Sequence, residues 1–258
     1  MFLPITYNYF ITLALIRQDF YCFIKGNMIG LYKKTKRGIK MSQQKTRKYF
    51  ATISLQTGNG LTPLHYGSDD NKGLRYDKET RFPIIHAIYN SAKPDDVIEV
   101  NAIIIRRGEA ADCCNEYVEV NYGYLVDELT ELKNRGIFKD FRINRIITED
   151  DEGIHTQLKL FTDIVSHIGD NDELHACITY GTKPTPIIMF TALNYGYKLK
   201  NNTHVENIIY GRYVHGHPGN SKIYDVTALF YTNSIVNRLA DGKVSDPEEV
   251  IRTLLELK

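Results

Sequence analysis

Cysteine is scarce in this chain and sits at no useful spacing. Cys22, Cys113, Cys114 and Cys177 are the four present among 258 residues. They outline neither a disulfide framework nor a thiolate metal site, which fits a protein of the reducing cytoplasm. A long apolar run is also lacking. Residues 2–16 are apolar and aromatic, but Arg17 and Asp19 stop the run short of a membrane span. Met1–Ile16 has no basic start of the secretory kind. Charge of one sign is missing as well: the net value is +1. Residues 1–40 carry seven Lys/Arg against the single Asp19, which leaves the remainder at about −5. A mildly acidic body argues against broad nucleic-acid binding, yet local donors can still hold a small anion. Repeats and low-complexity tracts are absent.

What is present is an alternation of strand-like and helix-like segments, the pattern of a parallel α/β sheet. Tyr49–Leu55, Val97–Ile105, Phe138–Ile147, Ala176–Ile178, Val205–Tyr210 and Ile223–Asp225 read as strands. Between them, Phe82–Tyr89 and Val118–Leu132 read as helices, the latter with Tyr122, Leu125, Leu129 and Leu132 on one face and a stop near Gly136. A third helix carries Leu158, Phe161, Ile164, Val165 and Ile168, with Glu149–Glu152 expected in its first turn, complementing its dipole. Leu61–Thr80 reads as a long polar loop covering a site. The fold expected is α/β: a Rossmann-like, mainly parallel sheet flanked by helices, with a short C-terminal helical extension. The domain limits are 48–230, after an extension over 1–47 and before a tail over 231–258. The tail is too short for a core of its own. Residues 1–40 are read as dispensable, with a natural start at Met41. The basic run Lys33–Arg37 behind the apolar stretch leaves a crude membrane anchor as the lesser reading.

The stretch Leu174–Phe190 carries the chemistry. Ala176, Cys177 and Ile178 form a short buried strand. Tyr180, Gly181 and Thr182 turn the chain, and an apolar helix follows, expected to be buried nearly all round. Pro186 suits its first position, with Thr185 as the cap and Lys183 held out of helical geometry by Pro184. Free N–H groups, a hydroxyl and a lysine at a strand's carboxyl end make an anion site. The pattern is no Walker A loop, since Lys183 follows Gly181 by two and no earlier glycine is in place. A second glycine-rich turn, Thr57-Gly58-Asn59-Gly60, follows the first strand. Gly58 and Gly60 invite a dinucleotide reading, but Pro63 stands where the third glycine belongs. Arg106 and Arg107 end the second strand and are candidate anion contacts.

Ile178-Thr-Tyr-Gly-Thr-Lys-Pro-Thr-Pro186, an apolar helix, Val205–Gly211 and then Ile223–Phe230 together resemble the CARF domain of CRISPR-associated proteins. The likeness lies in the order of elements and in the Thr-x-Gly-Thr-Lys motif at Thr179–Lys183, and it covers roughly Lys48–Phe230. It implies a Rossmann-like homodimer binding a cyclic oligoadenylate, of four or six units, without cofactor or metal. Ligand contacts are implied at Thr57, Gly58, Asn59 and Gly60 and at Thr179, Tyr180, Gly181, Thr182 and Lys183. Some family members, the ring nucleases, cut the ring without metal; here that role falls to Lys183 and Thr182. The alternatives are a non-catalytic sensor acting through a partner and, more distantly, an ordinary nucleotide enzyme.

Other signals weigh less. His215-x-His217 lacks a third metal ligand. Arg81-x4-His86 and Arg212-x4-His217 match the short motif of HEPN ribonucleases, but no helical domain of that kind accompanies them. Asp225 and Thr227 read as a strand end and a helix cap. Tyr66, Tyr180, Tyr195, Tyr210 and Tyr213 could stack on adenines, although most tyrosines are packing.

Overall fold

The structure, a computed structural model, describes residues 45–56, 61–69, 71–108, 112–214, 216–242 and 246–256. Ser42–Thr227 forms one compact unit, and Ala228–Lys258 belongs to a second.

The first unit is a six-stranded sheet. Its strands are β1 (Thr46–Thr52), β2 (Val97–Arg106), β3 (Asp140–Glu149), β4 (Asp172–Cys177), β5 (His204–Arg212) and β6 (Lys222–Asp225). Its helices are α1 (Ile84–Ser91), α2 (Asp112–Asn134), α3 (Ile154–Ser166) and α4 (Pro184–Leu199). The spatial order is β3-β2-β1-β4-β5-β6, parallel throughout except for β6, which runs antiparallel to β5. The chain steps outward from β1 to β3, returns through α3 to β4 beside β1, and then steps outward the other way. That reversal sets the carboxyl ends of β1 and β4 side by side, with Ala51 opposite Cys177. In open α/β sheets a crevice for ligands forms at such a reversal. The expected Rossmann-like architecture is therefore present.

Strand alternation explains the core. Tyr49 and Ala51 of β1, and Ile53 just after it, pack with Ile84, Ile85 and Ile88 of α1 and with Leu125, Leu129 and Leu132 of α2. Each such aliphatic side chain contributes roughly 1.5–3 kcal/mol when fully buried. All six residues of β4 are buried, as suits a central parallel strand.

Several expectations need correcting. β1 begins at Thr46 and ends at Thr52, three residues earlier than the apolar run suggests. Leu61–Thr80 is not a loose polar cover. It contributes Leu61, Tyr66, Leu74 and Tyr76 to the core. It is also pinned by a Leu64–Thr80 bridge and by Gly67 pairing with Lys222 beside β6. α4 is buried along one stripe only, through Thr185, Met189, Ala192, Leu193 and Gly196. Ile187 and Leu199 are 70% and 67% exposed, because one face of α4 looks away from the sheet. On α3, Leu158 also points outward, while Leu160 and Ile164 point in. Glu149–Glu152 precede α3 instead of forming its first turn: Glu149 ends β3, and the Asp151 carboxylate accepts the Gly153 N–H at 2.8 Å.

α5 (Thr227–Asp241) and α6 (Pro247–Glu256) make up the C-terminal helical extension expected. Phe230, Ile235, Leu239 and Val250 are buried there. Among the described residues no helix is long and apolar enough to cross a membrane.

Candidate functional site at the carboxyl edge of the sheet

The turn from β4 into α4 is built by local chemistry. Gly181 has φ +114°, a region that L side chains rarely adopt. A Cβ there would also lie 3.0 Å from the Cβ of Thr185, so glycine is required twice over. The Thr182 and Thr185 hydroxyls are 3.1 Å apart, which ties the turn to the first turn of the helix.

The helix starts earlier than the apolar pattern suggests. Pro184 is its first residue, and Lys183 occupies the N-cap in helical geometry (φ −56°, ψ −37°), so Pro184 does not hold Lys183 out of the helix. This changes the donor inventory. Pro184 and Pro186 have no N–H to offer. The Thr185 N–H is already donated to the Thr182 carbonyl at 3.1 Å. The helix start proper is thus poor in free donors. The free ones lie just before it: the N–H groups of Gly181, Thr182 and Lys183 make no hydrogen bond to any described residue. Successive unpaired N–H groups in a turn are an anion-binding device. The Lys183 side chain is exposed beside them and is without an ion partner among the described residues.

The remaining members of the motif are structural. The Thr179 hydroxyl accepts the Gly211 N–H at 2.8 Å and lies 3.1 Å from the Cys177 sulfur, joining the ends of β4 and β5. The Tyr180 hydroxyl donates to the Arg81 carbonyl at 2.7 Å, and its ring meets Phe82 edge-on. Burial pushes the Tyr180 phenol well above its usual range. Tyr180 therefore braces the turn from below. Tyr66, another expected stacker, is buried, and Tyr195 packs edge-on against Phe161.

Thr57, Gly58, Asn59 and Gly60 lie outside the described residues. Their lead-in is fixed by a residue that sequence reasoning missed. The buried Asn121 of α2 donates to the Ser54 and Gln56 carbonyls at 2.9 and 3.0 Å. Its only signal in the sequence was an amide on an otherwise apolar helix face.

Arg106 and Arg107 are brought to the same edge but are engaged. Arg106 pairs with Glu119 at 3.1 Å, and Glu119 also takes Arg145. Arg107 pairs with Asp150 at 3.0 Å, and its backbone is clamped by Asn115. Both candidate anion contacts thus already have a carboxylate partner, in ion pairs that remain partly exposed.

Beside the turn is a shallow cleft of ≈ 20 Å³ lined by Glu149, Asp150, Asp151 and Glu152 on one wall and Thr182, Pro184 and Thr185 on the other. Asp150 is neutralised by Arg107, and Asp151 is occupied by Gly153 and Thr156. No group of three or more metal-ligating side chains occurs among the described residues. His215 lies outside them, and His217 is exposed in the loop before β6.

His86 of the Arg81-x4-His86 pair is a core residue. Its Nδ1 is 2.7 Å from the Leu74 carbonyl, and its ring sits edge-on to Tyr66 and Tyr76. Burial holds it near neutrality, with a pKa lowered to about 4. It serves packing. Asp225 and Thr227 are likewise structural. The Thr227 N–H and hydroxyl donate to Asp225, while the same hydroxyl accepts the Ile208 N–H at 2.7 Å.

A scan against protein-family models finds no match, and no curated protein matches the chain.

Proposed function

We propose that the Ser42–Thr227 unit is a CARF-type domain that binds a cyclic oligoadenylate of four or six units in the cytoplasm, as a two-fold dimer. The observation that carries this reading is the run of three unpaired N–H groups at Gly181–Lys183, next to an unpaired lysine, at the reversal between β1 and β4. Phosphodiester oxygens are the matching acceptors. A two-fold dimer presents the same turn twice, which suits a ring of repeated units. Exposed Ile154 and Leu158 on α3 and Ile187 on α4 offer an apolar surface for the second copy.

In the catalytic form of the reading, a ribose 2′-oxygen attacks the adjacent phosphorus. The 5′-oxygen leaves, and a cyclic phosphate end remains. The protein aligns the attacking oxygen and stabilises charge growing on the phosphoryl oxygens. Lys183 and the turn N–H groups supply that stabilisation; the Thr182 hydroxyl is shared with Thr185. A second reading is a non-catalytic sensor acting through a partner. It is favoured by the lack, among the described residues, of any titratable base bonded to Thr182 or Lys183.

The deciding experiment incubates the protein with cyclic tetra- and hexa-adenylate and follows both retention and products. Retention with linear products ending in cyclic phosphate supports the nuclease, and retention alone supports the sensor. If neither ring is retained, both readings fall. Light scattering with and without ligand tests the dimer, and a monomer in both states rejects it.

A further inference from the structure

The outer edge of the sheet carries a feature that the β4 turn does not use. Tyr210 of β5 stands opposite Tyr224 of β6, and the two rings stack with centroids 6.5 Å apart and planes 20° from parallel. Two residues along the ladder, Arg212 stands opposite Lys222. The intervening Gly211 and Ile223 face the core, where a Cβ on Gly211 would meet Pro83 and Tyr66 and where Ile223 is buried. Strand alternation therefore puts both tyrosines and both cations on the opposite face. Tyr210 is 39% exposed, Arg212 is exposed, and Lys222 and Tyr224 are half-buried. Among the described residues neither Arg212 nor Lys222 has an ion partner, a condition shared in this unit by Arg75 and Arg142, whereas Arg47, Arg81, Arg106, Arg107 and Arg145 are paired with carboxylates. The nearest acid in the ladder, Asp225, is occupied by Thr227.

We propose that this face binds nucleotides, one base lying on the Tyr210–Tyr224 pair and its phosphate held by Arg212 and Lys222. The spacing suits that chemistry. Two strand residues span about 7 Å, comparable to the reach from a base to its own phosphate. An aromatic platform next to unneutralised cations is the combination by which proteins hold single-stranded nucleic acid without reading its sequence. Packing alone explains a cross-strand tyrosine pair, but it does not explain two like charges set directly opposite each other beside that pair, an arrangement that is destabilising without an anion. The ligand class is a base joined to a phosphate, either as a free mononucleotide or as a unit of a single strand. The proposal stands apart from the reading of the β4 turn.

The test is fluorescence polarisation with a labelled six-adenine RNA, on the full chain. Arg212→Gln with Lys222→Gln should weaken binding at least tenfold and flatten the dependence of log Kd on log salt by about 0.7, the slope of one phosphate contact on a single strand. Tyr224→Leu, which keeps apolar contact with Tyr210, should weaken binding about tenfold with little change in salt slope. Thermal melts check folding, and the more exposed Tyr210→Leu replaces Tyr224→Leu if that variant unfolds. Displacement by adenosine monophosphate identifies a mononucleotide site, whereas displacement only by unlabelled six-adenine RNA or DNA identifies a strand site. The proposal is overturned if the probe shows no saturable binding below about 100 µM. It is also overturned if binding disappears in Lys183→Ala and survives in the Arg212/Lys222 variant.

Discussion

The two ends of the same parallel sheet are built on opposite principles. At the amino edge, Arg47 bridges Asp96 and Glu173, and Glu173 reaches His175 at 3.3 Å and His204 at 3.7 Å. His175 is stacked on Tyr49 at 4.5 Å, with its other nitrogen 3.1 Å from Asn207. Lys48 joins Asp172, Glu99 and the His167 carbonyl. These polar groups are closed on one another. At the carboxyl edge the turn after β4 leaves three N–H groups and a lysine unspent. Buried charges that satisfy each other hold the fold, and unsatisfied donors at a surface are available to a ligand. The contrast separates stability from binding along one set of strands.

Substitutions can break that separation. The largest effect is expected from Arg47→Met, which leaves Glu173 and Asp96 buried without their cation. Loss of one partner from such a network costs about 3–5 kcal/mol. Chemical denaturation should show it, with ligand retention intact in the fraction that stays folded.

Acid should act on the amino edge and the core first. His204 and His86 each have a pKa lowered from 6.5 to about 4, in both cases chiefly by burial. Their unfolded forms bind protons first, so the stability they contribute is complete above about 6.5 and is lost as pH falls through about 4. For the fully buried His86 this amounts to roughly 3 kcal/mol. Glu173 follows. Burial opposes its ionisation, but His175, Arg47 and His204 outweigh that and lower its pKa from 4.5 to about 2. Its contribution is present above about 4.5 and is lost toward about 2. Denaturation midpoints measured from pH 7 to 3 should fall steadily, and His86→Gln should flatten the upper part of that fall. A midpoint independent of pH between 6.5 and 4 would refute the assignment.

At the carboxyl edge the sign of the comparison reverses. Lys183→Ala should reduce ring binding or turnover about 10²-fold, the usual loss for a phosphate donor. Its melting temperature should stay at the parent's value, because the side chain is exposed. Unchanged binding and unchanged cleavage in a folded variant would move the site elsewhere. Gly181→Ala should cost about 1–2 kcal/mol of stability for a side chain forced into positive φ, and it should also reshape the N–H run and weaken ligand retention. Calorimetry and retention on the same sample separate the two losses.

Much of this was legible along the chain. Local patterns identified the strands and helices, the Gly181 turn and the helix behind it, because hydrophobic period and turn chemistry act within a few residues. The ends of elements were less well placed. Thr46–Lys48 pair as β1 despite their polarity, since Lys48 and Arg47 find carboxylates in β4 and before β2. The outward face of α4 could not be read from a helix that is apolar on every side. The fates of Arg106 and Arg107 were hidden for the same reason, as Glu119 and Asp150 are far away in sequence and near in space.

Composition, periodicity and one obligatory glycine were enough to specify an α/β sheet with a polar turn at a strand's carboxyl end, since each of these acts over short stretches of chain. The placement of β4 beside β1, the pairing of Arg47 with Glu173 across 126 positions and the closure of the amino edge arose only on folding. So did the sparing of Gly181, Thr182 and Lys183 as the unpaired donors. Whether a polar group is free depends on what folding brings within hydrogen-bond reach, and no local window of sequence contains that information.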